Sequence, residues 1–236
     1  MKIAIALATR GLVFTEVEQS IEVQRKSYDI EVFRSSNLPL PESQNYLAER
    51  ALETNAPYIL FVEEDTVIPH YGIAAMLRTM KEQNADIVCI DYGVNGWSCT
   101  ARERETKELL WCGLGCTLVK REVLEVSKYP YFSSQLSLRL NDWRWVTNKE
   151  PYGQQDIRFC MKAREKGFKI AQVPGLEAKH LRLDSLGKLE TNKGLHQISQ
   201  KPVIAKQQWI DIPQEHAYSL TLTGKLDIVE NIAQAI

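Results

Sequence analysis

The sequence predicts an α/β protein built on a doubly wound, mostly parallel central sheet. Short, apolar, β-rich segments alternate with amphipathic helical ones from residue 2 to residue 90, the pattern of successive β-α-β units. The run Tyr58-Ile59-Leu60-Phe61-Val62 is apolar without alternation, as a strand covered by helices on both faces must be. A chain of 236 residues can bury one such sheet in a single large domain, with or without a small appendage.

The elements follow in order. Residues 2–8 read as a first buried strand. The opening Met1-Lys2-Ile3-Ala4-Ile5-Ala6-Leu7-Ala8 looks superficially like a secretion signal, but no small-residue cleavage site precedes the polar sequence. Residues 14–27 are expected to form a polar amphipathic helix, and 28–33 a second strand. Ser35 to Pro41 reads as a turn-rich break. A helix over 42–55 should bury Tyr46, Leu47, Ala51 and Leu52. Strand 58–62 is followed by a helix to about residue 84 with Pro69 in its first turn, then by a strand over 86–90. Residues 109–119 read as one strand containing Gly113 and Gly115, and 120–126 as a short helix. Ile157, Cys160, Met161 and Arg164 share one face of a helix over 153–166. Gly167 suits its C-cap, and 168–173 read as the next strand.

The composition shifts after that point. Residues 179–206 hold six Lys/Arg against two Asp/Glu, and residues 207–236 one Lys against four acids. We therefore expect a main domain over 1–184 and a C-terminal extension over 185–236, with Tyr218 to Thr223 alternating like a half-exposed strand. The net charge of −1 gives no global attraction to nucleic acid or anionic membrane. No apolar run reaches the roughly 20 residues that span a bilayer. Cysteines stand at 89, 99, 112, 116 and 160. An odd count without dense spacing points to buried thiols in a reducing, cytoplasmic setting. Cys112 and Cys116, on one strand, would face the same way.

Ligands of open α/β sheets bind at the carboxyl ends of strands, and Glu63-Glu64-Asp65 stand at such an end. Adjacent carboxylates repel one another unless a cation or solvent compensates. Oxygen ligands favour Mg²⁺ or Mn²⁺. Read locally, the cluster is equally compatible with a solvated acidic turn that caps the next helix. Asp156 falls in the first turn of a helix, where an acid also complements the dipole. His180 follows a strand in a short polar segment, and imidazole can complete a metal site.

Three segments together resemble family-2-type GT-A glycosyltransferases. Asn45-x5-Ala51-Leu52-x5-Tyr58-Ile59-Leu60-Phe61-Val62-Glu63-Glu64-Asp65-Thr66-x2-Pro69 resembles the approach to the family's DxD motif. Gly113-Leu114-Gly115 with the strand and helix after it resembles the glycine-containing strand. Gln155-Asp156-Ile157-x-Phe159-Cys160-x3-Arg164-Glu165-x-Gly167, followed by His180, resembles the "ED" helix and the late metal-binding histidine. Glu63 replaces the usual first Asp, Gln155 the usual acid, and Gln44 the Arg that often precedes Asn45.

The resemblance implies a hexosyl transfer from a nucleotide-sugar, UDP-sugar favoured, to an acceptor hydroxyl. It implies Asp65 and His180 as ligands of Mn²⁺ or Mg²⁺, with Glu63 at the metal's water or the ribose. Asp156 would be the general base on the acceptor. Thr9 and Arg10 would face the nucleobase, and Asn45 the ribose or diphosphate. Glu64 would contact the donor or face solvent. Gly113 and Gly115 would allow close backbone approach to the sugar, and Trp97, Trp111, Trp143 and Trp145 would offer stacking faces.

The acceptor would be a saccharide or DNA carrying a hydroxymethylated base. The latter would engage the basic 179–206 stretch with Arg102, Arg104, Arg139 and Arg144. Two other readings compete: a nucleotide-sugar-binding protein of the same fold without transfer, and a nucleotidyltransferase. The second usually carries a glycine-rich basic loop after the first strand, where this chain has only Arg10-Gly11.

Overall fold

The computed structural model describes residues 1–36, 38, 40–94, 97–103, 105–133, 155–183 and 189–191. The proposed extension over 185–236, apart from a short strand at 189–191, and the residues Arg104, Arg139, Trp143, Arg144 and Trp145 lie outside the described residues. Among the described residues, no helix is long and apolar enough to cross a membrane.

The elements run β1 (Lys2–Thr9), α1 (Thr15–Arg25), β2 (Asp29–Ser36), α2 (Glu42–Leu52), β3 (Tyr58–Glu63), β4 (Thr66–Val67), α3 (Gly72–Glu82) and β5 (Ile87–Val94). They continue with β6 (Trp97–Ser98), β7 (Thr100–Arg102), β8 (Leu109–Cys112), β9 (Cys116–Lys120), α4 (Arg121–Ser127), α5 (Gln155–Glu165), β10 (Ile170–Leu183) and β11 (Leu189–Thr191). The main sheet has the order β11-β10-β5-β9-β3-β1-β2, and β7 and β8 pair separately. Pairs β1·β2, β1·β3 and β5·β10 are parallel, and β9 runs antiparallel between β3 and β5. The predicted class, an α/β fold on a doubly wound and mostly parallel sheet, is the one observed.

Strand alternation divides the core. Ile3, Ile5 and Leu7 of β1 pack with Leu60 and Val62, Val88 and Ile90, under Val17 and Ile21 of α1 and Ile73, Met76 and Met80 of α3. Ala4, Ala6 and Ala8 point the other way with Ile59 and Phe61. There they meet Leu47, Ala48 and Ala51 of α2, Val123 and Leu124 of α4, and Phe159, Cys160 and Ala163 of α5. Helices on both faces are what the apolar run at 58–62 requires.

Several local expectations are corrected. Strand β2 continues through Ser35 and Ser36, which pair with Ala8 and Thr9, so the break starts later than its turn residues suggest. Pro69 precedes α3, its carbonyl accepting from Gly72 N–H at 2.7 Å. On α2, Tyr46 is 43% exposed and Ala48 takes its place in the core. The expected single strand over 109–119 is two, because the chain reverses at Gly113–Gly115. Parity therefore does not carry across, and Cys112 and Cys116 join opposite core layers. Cys112 instead lies with its Sγ 4.0 Å from that of Cys160, and all five cysteines are free thiols.

Strand β10 runs well past residue 173. Pro174-Gly175 is absorbed as an irregularity between Gln172 and Glu177, with Gly175 at φ +66°, a conformation glycine adopts without penalty. His180 is thus held in a strand.

Candidate active site

The acidic turn sits at the carboxyl end of β3, and each of its residues is pinned by a different segment. Glu63 N–H donates to the Gly115 carbonyl at 3.3 Å. The Glu64 carbonyl accepts from Phe14 N–H at 3.0 Å, and the Asp65 carbonyl from Leu181 N–H at 2.7 Å. The last bond belongs with the two-residue strand β4, which pairs antiparallel with β10 and places Thr66 opposite His180. Because β9 runs against its neighbours, its start brings Gly113–Gly115 to the same end as the acids. Loops far apart in sequence are thereby registered around three carboxylates.

Asp65 and His180 come together: Oδ2 of the acid lies 3.4 Å from Nε2 of the imidazole. The pairing raises the histidine's pKa, the Asp65 interaction being the largest cause. The other oxygen, Oδ1, is buried and finds no hydrogen-bond partner among the described residues; the same holds for Oγ1 of Thr66. Glu63 is half-buried, and its pKa is pushed up to about 7, first by burial and then by the charges of Asp65, Asp156 and Glu64. Asp156, on the first turn of α5, is thus close enough to be felt across the cluster. Burial pushes its own carboxyl to about 6, against an opposing hydrogen bond from Ile157 N–H at 2.8 Å.

Arg10 pairs with Glu64 and reaches Asp65 at 3.5 Å. Its side chain is 83% exposed, while those acids are 12% and 13% exposed. Glu64 is therefore not a solvent-facing bystander. Among the described residues no three His, Cys, Asp or Glu side chains form a ready-made metal cage.

Other predicted residues have different work. The Thr9 hydroxyl donates to the Leu12 carbonyl at 2.7 Å and accepts from Gly11 N–H at 2.9 Å, which shapes the loop after β1. Asn45 is buried, with both ends of its amide engaged by the Phe132 backbone at 2.8 and 2.9 Å. Gly113 and Gly115 face Tyr92: a Cβ added at either would fall 2.4 Å from its Oη or 2.6 Å from its Cζ. The close approach they permit is to this ring. Trp111 is half-buried against the second core layer, and Arg102 donates to Gln172 and to the Lys107 carbonyl. Tyr92 is the residue that sequence reasoning missed. It is 4% exposed, its ring lies 5.7 Å from that of His180, and it falls two residues beyond the strand read over 86–90.

The fold is a known one. The chain is similar to A197 from STIV, at 21% identity over 85% of this chain and 99% of that one, with a TM-score of 0.58. Weaker similarity extends to S. aureus TarS 1-349 in complex with UDP-GlcNAc (14% identity, 75% of this chain, TM-score 0.43). It extends also to the mannosyltransferase PcManGT from Pyrobaculum calidifontis in complex with GDP-Man and Mn²⁺ (12% identity, 75% of this chain, TM-score 0.45). The matched regions span 57% and 55% of those two chains. No protein-family model and no curated protein matches the sequence.

Proposed function

We propose that this protein is a metal-dependent glycosyltransferase that moves a hexosyl group from a nucleotide-sugar, a UDP-sugar first among them, to an acceptor hydroxyl. The observation that carries the reading is the convergence of Asp65, His180 and Asp156 on Glu63 at the carboxyl end of the sheet. These residues come from the turn after β3, from β10 and from α5, and Asp65 keeps a buried carboxylate oxygen without a hydrogen-bond partner among the described residues. Carboxylate oxygen with one imidazole is a donor set that fits Mn²⁺ and, less well, Mg²⁺. Two side chains leave the rest of the coordination to phosphate oxygens and water.

Bound there, the cation would offset the charge of the departing nucleoside diphosphate. Asp65 and His180 would hold it. Glu63 adds negative charge beside them and favours cation binding. Arg10, exposed at the rim, reaches the same face and suits a phosphate oxygen. Asp156 accepts the acceptor hydroxyl's proton as the new glycosidic bond forms, a role worth about 10² to 10⁴ in rate. Its elevated pKa makes it a better base than an ordinary aspartate near neutral pH. The acceptor is a saccharide hydroxyl, and hydroxymethylated DNA is the second class to test.

The test is a screen of UDP- and GDP-sugars with Mn²⁺, reading nucleotide release with and without saccharide and hydroxymethylated-DNA acceptors. Turnover by the wild type and its loss in Asp65→Ala and Asp156→Ala is the expected result. Donor binding without turnover across the whole screen would sink the transferase reading in favour of a binding protein.

A further inference from the structure

We propose that Tyr92 is a positioning residue with two separable halves: its ring holds the His180 imidazole, and its hydroxyl holds the Gly113–Gly115 turn beside Glu63. The inference rests on the functional reading above for its meaning, although the geometry stands by itself.

Tyr92 lies near the carboxyl end of β5 and is 4% exposed. A buried tyrosine hydroxyl needs a partner, and this one accepts from Gly115 N–H at 3.0 Å. The carbonyl of the same Gly115 accepts from Glu63 N–H. One residue therefore links the phenol to the first acid of the cluster. Glycine at 113 and 115 follows from this contact, since a side chain at either would collide with the phenol. On its other side the ring meets His180, with 5.7 Å between centroids and 36° between planes. His180 in turn contacts Asp65.

A phenylalanine would fill the same apolar space among Ile90, Cys116 and Ala178, which belong to the same core layer. The hydroxyl is what a purely space-filling role would not require. Among the described residues, the contacts that join Tyr92 to the cluster are those with Gly115 and His180, so its influence on binding passes chiefly through them. The two substitutions should separate. Tyr92→Phe keeps the ring and frees Gly115 N–H; Tyr92→Leu removes both supports.

The experiment uses the full chain and three probes: Mn²⁺ titrated by electron paramagnetic resonance, UDP titrated by calorimetry with Mn²⁺ present, and ¹H–¹⁵N spectra of the Gly115 amide and the His180 ring. For Tyr92→Phe we expect Mn²⁺ affinity within about twofold of wild type, UDP affinity lower by about tenfold, and faster exchange at the Gly115 amide with His180 unmoved. For Tyr92→Leu we expect Mn²⁺ affinity to fall by about 10- to 100-fold, with displaced His180 resonances.

Wild-type protection of Gly115 and wild-type UDP affinity in Tyr92→Phe would overturn the proposal, and that variant decides the matter even if Tyr92→Leu does not fold. Parallel losses of both affinities in both variants, in proportion to lost Tm, would also overturn it. If the wild type binds neither Mn²⁺ nor UDP, the functional reading falls, and the Gly115 and His180 resonances still decide the role of Tyr92.

Discussion

The two ends of the central sheet both gather charged side chains, and they treat them differently. At the amino end, a shallow depression of about 300 Å³ is lined by Lys2, Glu31, Phe33, Arg50, Glu53, Thr54 and Asn55. Its charges are matched: Lys2 pairs with Glu31 and Arg50 with Glu53, all with side chains at least a third exposed. At the carboxyl end, Glu63, Glu64, Asp65 and Asp156 face Arg10 and His180. Glu64 and Asp65 are more buried than Arg10, and one Asp65 carboxylate oxygen lacks a hydrogen-bond partner among the described residues. A depression whose charges are matched gives an ionic ligand little to bind. Unbalanced charge under burial points to the carboxyl end, because proteins place perturbed titratable groups where chemistry needs them.

The sharpest way to break this comparison is at Asp156. Acting as base, it must be deprotonated, so kcat/KM should fall as pH drops through about 6 and stay level above. Asp156→Asn should lower the rate by about 10² to 10⁴ and abolish that acidic limb, with UDP affinity unchanged. A profile in Asp156→Asn that keeps the limb would assign it to another group. Next is His180→Ala, expected to weaken Mn²⁺ binding by about 10- to 100-fold, as the site loses its imidazole donor and Asp65 its partner. Unaltered Mn²⁺ affinity would remove His180 from the site.

How much of this contrast was legible in the sequence follows from the range of each interaction. The strands at residues 2–8 and 58–62 and the helices between them are local patterns, and they hold. Asp65, Asp156 and His180 were named from a motif resemblance, and the fold brings them to one end. What brings them there was not legible. Strand β4 is two residues long, and only its partner β10 defines it. The reversal at Gly113–Gly115 hides inside an apolar run that reads as one strand. Asn45 was placed by the same resemblance; that its amide is held by the Phe132 backbone, 87 positions away, has no local signature. Tyr92 carries no local signal: it falls two residues beyond the strand read over 86–90, and only its partners mark it.

Stability offers a separate test of the charge imbalance. The Glu63 carboxyl is raised from 4.5 to about 7, so the folded state holds its proton more tightly than the unfolded state. Folding then loses stability as pH rises from about 4.5 through about 7. Glu63→Gln removes that penalty. Allowing for the side chain's partial exposure, it should gain about 1–2 kcal/mol at pH 8, or roughly 3–6 °C in Tm, and nothing near pH 4. Mn²⁺ binding should weaken in the same variant. A Glu63→Gln protein no more stable than wild type at pH 8 would show that the cluster is relaxed without a cation.

The smallest effect belongs to the amino end, and it is as informative as the largest. Arg50 pairs with Glu53 three residues on, and its guanidinium lies 5.8 Å from the Phe33 ring centroid. Exposed ion pairs and exposed cation–π contacts each contribute about 0.2–1 kcal/mol. Arg50→Ala should therefore cost about 1 kcal/mol or less, more at low salt than at high, because solvent already screens the pair. Its matched charges leave no deficit for a ligand to fill. Nucleotide release and Mn²⁺ affinity should both stay at wild-type values. A loss of turnover in Arg50→Ala beyond the stability change would mean that the amino-end depression takes part in binding, and that exposure and charge balance do not separate the two ends.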